Sequence, residues 1–431
     1  MVSGLKLGGK AVLMLFTCIN LLVFIDRGAL AAVIPLLKES SGLGLNSVEA
    51  GSLGSAFMLG YVLASPIFAY FSSRVHPMYL MVIGNSIWSG AVFLTGMSQN
   101  FPLIVIARSL TGIGEASFVS LAPPCIIDVA PASKQNQWIG IFYASSALGY
   151  ALGFIFGAQT SSSLGSWNYP FIIEGFFMLP FIVISVFCYK DPKLLAKKND
   201  GSTEKIHEQI WILLKLPVFV FMNLGYSCFQ FTVGGLAFWG PDFIKSFYGV
   251  SGNVAAYSLG SVTIFCGIFG SIAGSFFLDK LMKNLEIGDE KSNSILNSYI
   301  RVEKASLIVP IAYFIGMCFG IAGLVLSLSS SLPGNLLIFL TGLALGEFFI
   351  FTTSAPIAII TMYCVPFHLR GQANAVSIFI IHILGDFPSP VIIGAWFDTI
   401  GEFLGMICAF LWLSIGTIIM IINWNITVNY I

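Results

Sequence analysis

FIDRGALAAVIP, from Phe24 to Pro35, sets an acid beside a base in the middle of an apolar run. Around Asp26 and Arg27 the run extends over residues 11–36, long enough for a bilayer crossing, which takes about 17 to 25 residues. A bare charge at mid-membrane depth costs about 2.5 to 3.5 kcal/mol even on lenient insertion scales. Adjacent residues on a helix point about 100° apart, so Asp26 and Arg27 cannot share one face. Each must find a partner on another helix or meet a water-filled cavity.

Working outward, the whole chain shares this character. Its 431 residues are 57% hydrophobic and only 9% charged, against about 25% charged in soluble domains, and mean hydropathy is +0.90. These values exclude a soluble globular protein. Formal net charge is zero, with no basic tail, so nothing points to nucleic acid. The eight cysteines stand singly, mostly within apolar runs, and read as small packing side chains rather than disulfides or metal ligands. The first apolar run lacks a small-residue cleavage site at a suitable distance and is read as a membrane span, not a leader.

Twelve spans are predicted, over residues 11–36, 48–71, 77–97, 102–126, 136–158, 169–189, 216–240, 254–278, 304–328, 334–362, 371–396 and 402–424. The hydrophilic stretch between spans six and seven divides the chain into an N-terminal bundle over 1–189, a cytoplasmic loop over 190–215 and a C-terminal bundle over 216–431. The fold class expected is therefore an all-α polytopic membrane protein, twelve helices in two six-helix bundles. With both termini placed in the cytoplasm, sixteen of the 20 Lys and Arg residues fall on the cytoplasmic side. Only Lys38 and Lys245 fall outside, and Arg27 and Arg108 lie within spans, the asymmetry of the positive-inside rule.

The halves repeat. TGIGEASFVSLAP (Thr111 to Pro123, span four) and TGLALGEFFIFTTSAP (Thr341 to Pro356, span ten) share Thr-Gly, Gly-Glu and Ala-Pro in order. LGYALG in span five and LGDFPSP in span eleven correspond likewise. A parallel repeat of this kind is common in secondary transporters, whose substrate sites lie between the halves.

The candidate site residues are ionisable groups too deep to snorkel. In span four, Arg108 and Glu115 lie seven residues apart, about two turns, on one face. In span eleven, His382 and Asp386 form an i,i+4 pair. Glu347 is the repeat counterpart of Glu115, without a base at helical spacing. Charged residues inside a membrane are functional candidates by default, set against an ion pair that merely locks helices. Arg27 offers a rigid fork suited to phosphate or carboxylate, and Asp26 and Glu115 can exchange protons. A histidine one turn from an aspartate suits a proton switch. Gly149, Gly153 and Gly157 permit a close helix crossing in span five. Asp242, Asp279 and Asp398, at span ends, are expected to be solvated, and Trp239 before Gly240-Pro241 reads as an interfacial anchor.

These segments together resemble the major facilitator superfamily, and within it the spinster-type carriers. FIDRGAL in span one, RSLTGIGEASFVSLAPPCIID in span four, FYASSALGYALG in span five and IHILGDFPSPVIIGAWFD in span eleven carry the resemblance. It implies twelve helices in two bundles and alternating access. It also implies a lysophospholipid or sphingolipid substrate, protons as the coupling ion, no cofactor, no enzymatic activity and a monomeric carrier. Arg27, Glu115 and His382 would contact substrate, and Asp26, Glu115, His382 and Asp386 would couple protons. The membrane would be lysosomal, endosomal or plasma. The superfamily's latch between spans two and three, Gly-x-x-x-Asp-Arg, is altered in FAYFSSRVHP, where Ser73 replaces the aspartate and Arg74 remains; GSFFLDK in the second half keeps Gly274 and Asp279. A carrier for a small hydrophilic anion or sugar is the nearest alternative, and a non-transporting receptor or scaffold the next. The spans hold few of the amides a sugar carrier needs, chiefly Asn20, Gln159, Asn223 and Gln230.

Overall fold

The computed structural model describes residues 8–39, 42–72, 74–131, 134–188, 206–283, 294–328, 335–366 and 369–429. Ser73 lies outside these described residues. Every regular element among them is helical: α1 (Gly9–Lys38), α2 (Ser47–Ser72), α3 (Pro77–Met97), α4 (Phe101–Val129), α5 (Gln135–Leu164), α6 (Tyr169–Cys188), α7 (Ile206–Leu214), α8 (Pro217–Tyr248), α9 (Gly252–Lys283), α10 (Ser294–Ser327), α11 (Asn335–Phe351), α12 (Ser354–Tyr363), α13 (Arg370–Ile381), α14 (Ser389–Ile400) and α15 (Glu402–Asn429). Eleven helical stretches are long and apolar enough to cross a membrane, and a bent pair, α7 with α8, makes the twelfth. All twelve predicted spans are present.

Helix starts follow from capping chemistry. At the head of α2, Glu49 N–H donates to Asn46 Oδ1 at 2.8 Å and Asn46 N–H donates back to Glu49 Oε2 at 3.0 Å, a reciprocal capping box. Asn100 Oδ1 accepts from Leu103 N–H at 3.0 Å before α4, whose first turn tolerates Pro102. Gly165 ends α5 at φ 75°, a left-handed cap where a Cβ would be strained.

Three spans depart from simple rods. The loop predicted over 190–215 contains α7, which meets α8 at 84°. Its sequence IHEQIWILL is amphipathic: Leu213 is buried, Trp211 is exposed, and Lys215 Nζ stands 5.3 Å from the centroid of that indole. Span ten breaks at Thr352 and Thr353, where Pro356 has no N–H for the Thr352 carbonyl. At the break the two threonine hydroxyls donate to Phe349 O and Ile350 O. Span eleven widens into one π turn over His382–Asp386, with Phe387 N–H donating to His382 O at 2.9 Å. Pro388 and Pro390 remove two donors just beyond, and Ser389 Oγ supplies one to Asp386 O. Conversely, Pro241 sits inside α8 without ending it.

The chain divides into two compact units, one of Met1–Gly201, Ala237–Gly260 and Pro390–Asp398, the other of Ser202–Leu236, Ser261–Ser389 and Thr399–Ile431. In the first unit, α1 and α5 cross through glycines. A Cβ on Gly153 would stand 2.9 Å from Gly28 Cα, and one on Gly157 would stand 2.7 Å from Ala29 Cα. Because backbone cannot move aside as a side chain can, Gly153→Val should cost about 1 to 3 kcal/mol or more. A drop in thermal midpoint of the detergent-purified protein checks this; an unchanged midpoint refutes it. The second unit is built the same way: Gly342 meets Gly323 across α11 and α10, with a built Cβ on Gly323 falling 2.7 Å from Gly342 Cα. Gly270, on α9, likewise faces the Phe348 carbonyl of α11 at 2.6 Å. On α4 a Cβ on Gly114 would stand 2.5 Å from Trp88 N of α3, so the sequence repeat has a packing counterpart, small residues on α4 and α11 facing the helices that precede them.

Candidate functional site

The charges of α1 find their partners on one helix, α4. Arg108 Nη1 and Nη2 donate to Asp26 Oδ1 and Oδ2 at 2.8 and 2.7 Å, a bidentate fork. Arg27 Nη2 pairs with Glu115 Oε1. Asp26 and Arg27 point to different sides, as their spacing requires, yet both reach α4. The two extended guanidinium arms, one from each helix, bridge the two-turn separation of Arg108 and Glu115. Arg108 and Glu115, which share a face, do not pair with each other.

Burial separates the two pairs. Asp26 and Arg108 have side chains 0% and 1% exposed, whereas the Arg27 side chain keeps 14% of its surface accessible. Aromatic faces surround the arginines. Arg27 Cζ lies 4.7 Å from the Phe24 ring centroid, 4.8 Å from Phe57 and 5.8 Å from Tyr61. Arg108 Cζ lies 5.5 Å from Phe57 and 6.0 Å from Phe171. Phe57 therefore serves both cations, a favourable arrangement for desolvated guanidinium groups. Arg27 uses one of its five donors on Glu115, and its Nε is buried without a hydrogen-bond partner.

A further acid stands in this unit. Glu174, midway along α6, is 1% exposed, and neither carboxyl oxygen has a hydrogen-bond partner among the described residues. Asp26 and Arg108 are the charged groups that act on it. Glu174 is absent from the candidates predicted above, although its signal, a lone acid in an otherwise uncharged span, is plain in SWNYPFIIEGFFMLP.

In the second unit, His382 Nδ1 and Asp386 Oδ2 are hydrogen-bonded across the π turn, and Gln230 Nε2 on α8 donates to Asp386 Oδ1 at 3.1 Å. The close approach of α8 depends on Gly234, where a Cβ would press on Asp386 Oδ1. Glu347 is buried and accepts only from Thr263 Oγ1, at 3.4 Å, leaving Oε2 unpartnered. The repeat thus conserves the position of a glutamate and not its guanidinium.

The span-end residues divide. Asp279 and Asp398 are exposed, as expected, and Asp398 also accepts from the backbone N–H groups of Ser47 and Val48 at 3.3 and 3.1 Å, a cap for α2. Asp242 is not solvated: it is 4% exposed and pairs with Lys38 Nζ at 2.7 Å. Trp239 is no interfacial anchor. Its ring is fully buried and its indole N–H donates to Pro390 O at 2.8 Å. In these last two a polar group that could have met water is drawn into packing that single-span hydropathy does not represent. Arg74 is exposed, folded back on Tyr70 with Cζ 4.1 Å from the ring centroid.

The sequence from 16 to 385 matches the profile of the Major Facilitator Superfamily. Spinster homolog 1 of Arabidopsis thaliana, described as a probable sphingolipid transporter, is 34% identical over 427 residues, 88% of this chain and 81% of the relative. The chain belongs to the spinster branch of the major facilitator superfamily. It is a multi-pass membrane transporter and not an enzyme. Human protein spinster homolog 1 is 27% identical over 408 residues, 91% of this chain and 74% of the relative. In three dimensions it superposes on a bacterial homolog of the human lysosomal transporter spinster, solved in an inward-facing, occupied conformation, with TM-score 0.77, 18% identity and 97% of each chain covered. A D-xylose–proton symporter shares the same fold at TM-score 0.69 and 18% identity, over 96% of each chain.

Proposed function

We propose that this spinster-type chain moves a lysophospholipid- or sphingolipid-like amphiphile across a membrane by alternating access, coupled to protons. The observation that carries the reading is Arg27: a cation within a span, still partly accessible, walled by Phe24, Phe57 and Tyr61 and held by a carboxylate that can exchange protons. A phosphate or other anionic headgroup would compete with Glu115 for the guanidinium, and protonation of Glu115 would release Arg27 to it. Aromatic walls suit the neighbouring tail. Asp26 shares the proton exchange through Arg108, and the His382–Asp386–Gln230 group couples protonation to movement of the C-terminal bundle. The bundles of this proposal are those divided at 190–215, with both termini cytoplasmic and the carrier acting as a monomer.

A carrier for a hydrophilic anion or sugar has less support. Its amides would have to face substrate, yet they are spent within helices and helix contacts. Asn20 donates to Phe142 O, Ser145 Oγ and Ser146 Oγ, Asn223 to Phe219 O, Gln230 to Asp386, and Gln159 to Ser163 Oγ.

The test is uptake of labelled lysophosphatidylcholine and sphingosine-1-phosphate into proteoliposomes, with and without a pH gradient. Accumulation of one of them, increased by the gradient, is the expected result. Absence of uptake of both lipids refutes the substrate class, and uptake indifferent to the gradient refutes proton coupling alone.

A further inference from the structure

Apart from the Lys38–Asp242 pair, the first unit buries three carboxyl groups, Asp26, Glu115 and Glu174, beside two guanidinium groups, the buried Arg108 and the partly accessible Arg27. Fully ionised, they would leave one uncompensated negative charge inside the membrane, and such a charge is neutralised rather than tolerated. Asp26 and Glu115 each hold a guanidinium; Glu174 holds none. The odd proton therefore belongs on Glu174. Of the helices packed against α6, α3 and α5 carry no charged residue, and α1 carries Asp26 and Arg27 midway with Lys10 and Lys38 at its two ends. α4 reaches Phe171 of α6 through Arg108, and its other charges are Glu115 and, in its last turn, Asp128.

A second geometric fact gives that proton a use. Phe171, one turn before Glu174 on α6, has its ring 6.0 Å from Arg108 Cζ, and residues three apart share a helix face. Arg108 Nε is buried without a hydrogen-bond partner. Arg108 thus has one edge on Asp26, one donor without a partner among the described residues, and its guanidinium beside Phe171 on the α6 stripe that holds Glu174.

We propose that Glu174 is a proton-binding site of this transporter, and that Arg108 passes between Asp26 and Glu174 as one proton moves the opposite way. In the conformation described here Asp26 is ionised and clasped by Arg108, and Glu174 is the neutral acid. When the carboxylate of Asp26 takes up the proton released from the Glu174 O–H, the guanidinium transfers to the Glu174 carboxylate. The charge of the cluster is unchanged at every stage, so the switch adds no buried charge. This use of the proton rests on the proton-coupled reading above; the location of the proton does not.

The experiment separates the two. Infrared difference spectroscopy of the detergent-purified protein, with Glu347→Gln in every sample because Glu347 is a second buried carboxyl without a guanidinium, should show the carbonyl stretch of a protonated carboxylic acid at neutral pH. Glu174→Gln, which has the shape and charge of the protonated acid, should fold as wild type and lack that band, and Glu115→Gln should retain it. In proteoliposomes Glu174→Gln should still exchange labelled lysophosphatidylcholine or sphingosine-1-phosphate, whichever the wild type carries, while losing accumulation driven by a pH gradient. A wild-type protein without the band, a Glu174→Gln protein that keeps it, or one that fails to fold overturns the proton site. If the band behaves as stated and wild-type uptake ignores the gradient, the coupling reading fails and the site stands. Gradient-driven accumulation by Glu174→Gln equal to wild type overturns the Arg108 exchange.

Discussion

Arg27→Ala is expected to lower lipid uptake in proteoliposomes by about a hundredfold or more while leaving a folded, membrane-inserted protein. Removing one partner of a close charge pair typically costs 2 to 5 kcal/mol of binding, and each 1.4 kcal/mol is tenfold. The fold should survive because what Arg27 leaves behind is a carboxyl. Glu115 can take a proton and become neutral, and the site already admits some solvent at Arg27, whose side chain is 14% exposed. Arg27→Lys should recover little, since a compact ammonium lacks the planar fork and stacks poorly on Phe24 and Phe57. The measurement is initial uptake rate normalised to reconstituted protein, beside a monodispersity profile of each variant. Uptake by Arg27→Ala within a few-fold of wild type would remove Arg27 from the substrate site.

The opposite balance holds for the deeper pair. Asp26→Ala strands the guanidinium of Arg108, 1% exposed and unable to shed its charge, and breaking a buried pair in this way costs about 3 to 5 kcal/mol. Arg108→Ala should cost clearly less, because the carboxyl it strands can be neutralised by a proton. Replacing both at once, as Asp26→Leu with Arg108→Met, should return most of the lost stability, since apolar side chains of similar volume often substitute for a buried ion pair without loss. Transport should nevertheless stay lost in the double variant. Thermal midpoints of the four purified proteins decide the matter. Equal losses for Asp26→Ala and Arg108→Ala would show that charge neutralisation does not govern this pair. Recovery of gradient-driven uptake in the double variant would make the pair structural only.

Much of the architecture is legible from local chemistry. Each span is a run of apolar residues that hydrocarbon will accept, and no tertiary information is needed to recognise it, so all twelve were found. The repeat of Thr-Gly, Gly-Glu and Ala-Pro marks matching positions for the same reason: small residues are required wherever backbones touch. What hydropathy misses are the places where a span's own hydrogen bonding is interrupted. The π turn at His382–Asp386 and the break at Thr352–Thr353 lie just before prolines that lack a donor, and Pro241 lies inside an unbroken helix, so a proline alone does not say where a span is interrupted.

The site divides along the same line. That Asp26, Arg27, Arg108, Glu115, His382 and Asp386 each need a polar partner within the spans is written in the sequence, because a charge inside a bilayer is costly wherever its partner lies. The i,i+4 contact of His382 with Asp386 was within reach too, being local to one helix. The pairing of Asp26 with Arg108 and of Arg27 with Glu115 is not, since it depends on the approach of two helices far apart in the chain. Nor could the sequence show that Glu174, one acid among several, is left without a cation. Its state is a property of the whole cluster, two guanidinium groups for three carboxyls, and only the tertiary structure brings those five residues to be counted together.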